Sequence, residues 1–273
     1  MRTTYIILLA IIISNFSSGQ DLVKNNLPEI KITGSAEIFT ITYNKLKFIS
    51  TNIQYLPNQI YFYEQIQMCN GKLKDSSTAQ IISLEKKPTN SKDFKVINSQ
   101  RYCNSALRHI IQYNFQINKS IDRPKITQRA TQKWNKYTKS SGTTQNGNII
   151  VLLLNSKGDT ISIMLDSLTF NVTQITYTYN THLHGRVKKL NSNQDAKAKH
   201  QVTVYFKHVD NIVYVASVLN RINTEVFDQN TNKFYPFLLM SKLQEVTNDD
   251  VQDLPENLRS LISYLPCNAY FLE

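Results

Sequence analysis

Apolar and polar residues alternate with a period of two through most of this chain, the spacing of strands that bury one face. The run Gln59 to Met68 is aromatic and β-rich, and Asn70-Gly71 follows it as a hairpin signal, with Thr78 to Leu84 as the returning strand. After a polar segment from Asn118 to Thr144, short strands are expected at Ile149–Leu154, Thr160–Leu165, Val172–Tyr179, Val202–Phe206 and Ile212–Asn220. Turns at Asn146-Gly147, Lys157-Gly158-Asp159, His184-Gly185 and Asp210-Asn211 separate them, and a last strand falls within Phe234–Val246. Spacing this short predicts an antiparallel meander. Residues 38–49 satisfy both periods: Phe39, Ile41 and Tyr43 alternate, while Ile38, Ile41, Lys45, Leu46 and Ile49 approximate a helical face. A short helix capped by Ser105 and a terminal helix from Pro255 to about Tyr264 complete the expected elements. Asn191–His200 lacks large apolar anchors and reads as a loop.

The leader changes the picture of where the protein works. Arg2 precedes an apolar run from Tyr5 to Ile13, and Ser17 and Gly19 are small, the three-part pattern of a secretory signal peptide spanning residues 1–19. A membrane-crossing helix needs roughly twice that apolar length. No cysteine lies near the cleavage point, so attachment as a lipoprotein is not expected. Residues 20–273 are then expected to form a single α+β domain, with two lobes meeting near 118–144 as an allowed variant.

Composition supports a folded chain: 41% hydrophobic residues, with seven Gly and seven Pro, and 15 Tyr and 12 Phe that favour strands. The formal charge of +11 directs attention to anionic partners. For an exported protein these are anionic lipid or an acidic envelope polymer, and nucleic acid is disfavoured by the compartment. The basic residues are scattered singly or in pairs such as Lys86-Lys87 and Lys188-Lys189, as on a solvated face. Of three cysteines, Cys69 and Cys103 are the candidate disulfide pair, leaving Cys267 as an apolar filler.

Catalytic and cofactor signals are weak. No Gly-x-Ser-x-Gly elbow or glycine-rich phosphate loop occurs, so no catalytic residue and no cofactor is assigned. His182 and His184, two apart on a strand, share a face and form half of a metal site with no third ligand nearby. Tyr61, Phe62, Tyr63, Tyr177 and Tyr179 are the candidate ligand-binding residues; the same aromatics serve equally as core.

Phe62-Tyr63-Glu64-Gln65, the hairpin Asn70-Gly71, Asn146-Gly147-Asn148-Ile149, Thr178-Tyr179 and the stretch from Phe234-Tyr235 to Val246 occur in an order that resembles a known family. This is the module downstream of the regulatory domain in secreted carboxypeptidase-like regulatory-domain proteins of the Bacteroidota. The family's Arg-Glu pair is Glu64-Gln65 here, and only Asp21–Gly34 precedes the module. The resemblance implies a LolA-like half-barrel: a curved, mainly antiparallel sheet with a few short helices enclosing an apolar cavity. It thus implies a non-enzymatic envelope protein, periplasmic or outer-membrane associated, that binds an apolar or amphiphilic ligand or docks at the outer membrane. An envelope-polymer hydrolase and an interaction module that pairs with an envelope protein are the alternatives.

Overall fold

The computed structural model describes residues 36–56, 59–84, 94–107, 123–187, 192–209, 211–228 and 230–246. Within them the dominant element is one open, curved eleven-stranded sheet, and the fold is α+β as expected. Helix α1 spans Ala36–Asn52, and the strands before the second helix are β1 (Ile53–Gln54), β2 (Ile60–Cys69), β3 (Lys72–Ser83) and β4 (Phe94–Cys103). Helix α2 (Ile126–Gln132) precedes β5 (Thr138–Thr143), β6 (Ile149–Leu154), β7 (Thr160–Leu165), β8 (Val172–Val187), β9 (Ser192–Val209), β10 (Ile212–Asp228) and β11 (Lys233–Glu245). The spatial order is β4-β3-β2-β11-β10-β9-β8-β7-β6-β5, antiparallel at each step, while β1 pairs in parallel with β10.

Hairpin chemistry sets the registers. At the β2–β3 turn Asn70 and Gly71 both have positive φ, at 50° and 70°, which matches the right-handed twist of the flanking strands. Register shifts at Gln67/Met68, Gln80/Ile81, Met164/Leu165 and Val215/Ser217 bend the sheet. The β10 shift also resets alternation: Val213 and Val215 are buried before it, and Val218, Asn220 and Ile222 after it.

The main core lies between the inner face of the sheet and the two helices. Leu46 and Ile49 of α1, Ile126 and Ala130 of α2, and Val151, Leu153, Ile161, Ile163, Ile175 and Val204 of the sheet form one buried cluster. Each such aliphatic side chain contributes about 1.5–3 kcal/mol on full burial. A smaller second cluster, Cys69, Ala198, Ile222, Val226, Phe237 and Leu239, occupies the ends of β2 and β9–β11 away from the helices. No described helix is long and apolar enough to cross a membrane.

Residues 38–49, which satisfied both periods, are helical, because the four- and three-residue steps between buried Thr42, Leu46 and Ile49 face the core. Several expectations need correction. Strand β8 runs through His184-Gly185 without turning, and Ser192–His200 is strand, not loop. Pairing with β8 along its whole length, joined by β10 from Ala198 onward, holds that polar stretch extended, while small Ala198 turns inward to the second cluster. Strands β4 and β5 and helix α2 are elements that the polar composition of their segments concealed. Of the helix expected from Ser105, the described residues contain a 3-10 turn, Ser105–Leu107. The leader and the terminal helix lie outside the described residues.

The Cys69–Cys103 bridge is not formed, since Cys69 is a free buried thiol. The register explains why: Cys69 on β2 and Cys103 on β4 flank β3, facing Lys72 and Asp75 respectively. Two strand spacings separate them by about 10 Å, beyond the roughly 7 Å between Cα atoms that a disulfide spans. Cys103 is disulfide-bonded.

A candidate binding site across the inner face

Four successive rows of inward residues cross β8, β9, β10, β11 and β2, each row about two residues along the strands from the last. The first row is Ile175, Val204, Val218, Leu243 and Tyr63, and belongs to the main core. The second is Tyr177, Val202, Asn220, Ser241 and Gln65; the third is Tyr179, His200, Ile222, Leu239 and Gln67. The fourth is Thr181, Ala198, Thr224, Phe237 and Cys69, which enters the second cluster. Asn220, Ser241, Gln65, Gln67 and His200 are all buried, so a polar band separates two apolar clusters on one continuous face.

Burying such groups without partners costs several kcal/mol each, so the band depends on its internal hydrogen bonds. The Asn220 amide donates to Ser241 Oγ at 3.0 Å, and the Tyr63 hydroxyl donates to Gln65 Oε1 at 3.0 Å. At the β8 end, the Tyr179 hydroxyl lies 2.6 Å from His200 Nδ1, with the two rings 4.8 Å apart. Tyr177 stacks on Tyr179 at 4.5 Å, as two residues on one strand face can. The Arg129 guanidinium sits 5.1 Å from the centre of the Tyr177 ring, and the Tyr177 hydroxyl donates to Asp159 Oδ2 at 3.4 Å. Burial pushes the Tyr177 hydroxyl up to about 12, with Arg129 opposing and Asp159 reinforcing the shift. Burial likewise raises Tyr137, again opposed by Arg129.

The candidate residues are distributed unequally. Tyr61 and Tyr63 are buried inward, Tyr61 edge-on to Tyr55 at 5.5 Å and accepting the Leu56 N–H at 3.0 Å. Burial drives the Tyr61 hydroxyl well above the ordinary phenol range. Phe62, between them, projects from the opposite face. Tyr177 and Tyr179 lie in the rows of the polar band, with β9, β10 and β11 standing between them and β2. Tyr61, Tyr63 and Tyr177 nevertheless belong to the same main core, with Tyr179 packed against it, and Phe62 alone does not join them.

His182 is exposed on the outer face with Asn180 and Thr178, paired across to Lys197. His184 pairs with Asp195 through the backbone, and its side chain lies outside the described residues. Among the described residues no three His, Cys, Asp or Glu side chains converge as metal ligands. Cys69 has its thiol pushed up by burial, which Lys74 opposes and Asp228 reinforces, so it is not a poised nucleophile.

The band was visible in part: Gln65 and Gln67 continue the alternation begun by Tyr61 and Tyr63. Asn220, Ser241 and His200 become neighbours only through cross-strand register. Comparison with known proteins finds no matching family model and no matching curated protein.

Proposed function

We propose that this protein is a non-enzymatic binding protein for an amphiphile, held on the inner face of the curved sheet. The observation that carries this reading is the polar band between two apolar clusters. Ligand sites are mostly apolar with a few convergent polar groups, and the second and third rows supply such groups beside Ile222, Leu239 and Phe237. A head group with hydrogen-bonding atoms would exchange partners with Asn220, Ser241, Gln65 and His200. Its chain would run beside the second cluster, because side chains of α1 and α2 already fill the main core. The resemblance to LolA-type carriers favours the same role by analogy of fold, and the signal peptide expected at residues 1–19 would suit a site in the cell envelope.

The test is native mass spectrometry, with lipid extraction, on the full protein purified from its own cells. A stoichiometric amphiphile that is lost in Asn220→Leu supports the proposal. A protein that purifies empty and takes up no fatty acid or phospholipid added to it contradicts the proposal and favours a strand-pairing role for the sheet ends β4 and β5.

A further inference from the structure

Between Asp122 and Asp159 the chain carries seven Lys or Arg residues and no carboxylate. These cations look dispersed along the sequence, yet the fold gathers four of them on a single ridge. A 3-10 turn (Arg123–Lys125), α2 and a second 3-10 turn (Trp134–Lys136) follow one another almost without a break. Lys125, Arg129 and Lys133 recur every fourth residue, the spacing of neighbours along a helix, and Lys136 follows; all four are exposed. Ile126, Thr127 and Ala130 face the core, so the ridge is anchored with its cations turned outward.

Aromatic rings back the ridge. Trp134 is half-buried, with the Tyr43 ring 5.5 Å away and the Lys139 ammonium 5.4 Å from its own ring centre. The neighbouring helix α1 carries one carboxylate, Glu37, and its Lys45 ammonium donates to Asn171 Oδ1 at 2.9 Å. Asp159, which accepts from Tyr177 and from the Asn155 amide at 2.9 Å, offsets Arg129 within the ridge and leaves Lys133 and Lys136 beyond it.

We infer that this ridge docks the protein on the surface of an anionic lipid bilayer. Clustered Lys and Arg beside a membrane each contribute attraction that short-range screening limits to the surface, and Trp and Tyr favour the head-group zone. The aromatic backing favours a bilayer over a soluble polyanion, for which the cations alone would serve. The inference stands apart from the amphiphile reading, because it concerns the outward side of α2 and not the inner face of the sheet.

The experiment is co-sedimentation of the full protein with vesicles of phosphatidylcholine alone or mixed with phosphatidylglycerol. Binding is expected only to the anionic vesicles. It should be released as salt rises from about 0.1 to about 1 M, where the screening length falls from about 10 to about 3 Å. The double substitution Lys133→Gln/Lys136→Gln should weaken binding about 30-fold. Lys197→Gln/Lys199→Gln, an equal loss of charge at exposed positions on the outer face of β9, should change it less than about threefold. Equal weakening by both pairs would reduce the effect to net charge and overturn the inference, as would equal binding to neutral vesicles or no vesicle binding. Displacement from the vesicles by a soluble acidic polysaccharide at matched charge would assign the ridge to a polymer and also overturn it.

Discussion

The two ends of the inner face are built on different terms. Beneath α1 and α2 the sheet contributes Leu153, Ile161, Ile163, Ile175 and Val204, and the helices answer with Leu46 and Ile49, so apolar surface meets apolar surface. Over the next two rows, across β8–β11 and β2, the same alternation delivers Asn220, Ser241, His200, Gln65 and Gln67, with Ile222 and Leu239 of the smaller cluster beside them. Burial of aliphatic groups stabilises the first region without directional demands. Stability in the second depends on hydrogen bonds made inside a low-dielectric surrounding, where losing a partner is costly. One end thus serves as a foundation, and the other carries chemistry able to recognise a ligand.

The largest expected effect lies in the foundation. Leu153→Ala, at a fully buried position, should lower unfolding free energy by about 2–5 kcal/mol in urea titration, through lost transfer energy and a residual cavity. A loss under about 1 kcal/mol would mean that the helices do not close over the sheet. In the band, Asn220→Ala should cost about 1–3 kcal/mol, because Ser241 Oγ loses its donor in a buried setting. Adding Ser241→Ala to that variant should cost less than Ser241→Ala alone; strict additivity would show that the two side chains do not act as a pair.

Tyr179→Phe removes the hydroxyl bonded to His200 and should cost about 0.5–1.5 kcal/mol. Histidine NMR should then show shifted His200 ring resonances, whereas unchanged ones would count against the contact. Alkaline unfolding sharpens the comparison further. The neutral form of Tyr177 is favoured in the fold, so its contribution is fully present below the unfolded tyrosine value near 10. That contribution is lost as pH rises through the folded value of about 12. Tyr177→Phe should therefore lose stability less steeply above pH 10 than the parent protein, and parallel curves would contradict the burial argument.

The smallest effect has the opposite sign. Burial raises the Glu64 carboxyl despite the opposing charge of Lys242, so folding favours its neutral form. At pH 7 Glu64→Gln should stabilise by under about 1 kcal/mol, with the gain vanishing as pH falls below the unfolded glutamate value. A destabilised variant at pH 7 would mean that the pairing with Lys242 outweighs burial.

Local signals carried much of this fold and little of its site. Asn70-Gly71 and the alternating run before it identify β2 and its hairpin, since backbone sign and side-chain period are properties of neighbouring residues. Strand β9 shows where such reasoning stops. Ser192–His200 is too polar to nominate itself, and pairing with the long strand β8, joined by β10 from Ala198, makes it a strand. The ridge on α2 was hidden for a related reason, because cations four residues apart look scattered until a helix aligns them. For the site, Tyr177 and Tyr179 were legible as an aromatic pair, but the position of Tyr177 in line with Asn220, Ser241 and Gln65, and of Tyr179 with His200 and Gln67, follows from registers across five strands. One bulge at Val215/Ser217 decides whether Asn220 faces inward, and nothing in the composition of β10 announces it.

Methyl NMR of the full protein with a phospholipid spin-labelled at mid-chain tests the amphiphile site most directly. The account predicts paramagnetic broadening at Ile222 and Leu239, with Leu153 and Ile163 of the main core unaffected. Broadening confined to exposed positions such as Leu168, or none at saturating lipid, would contradict it.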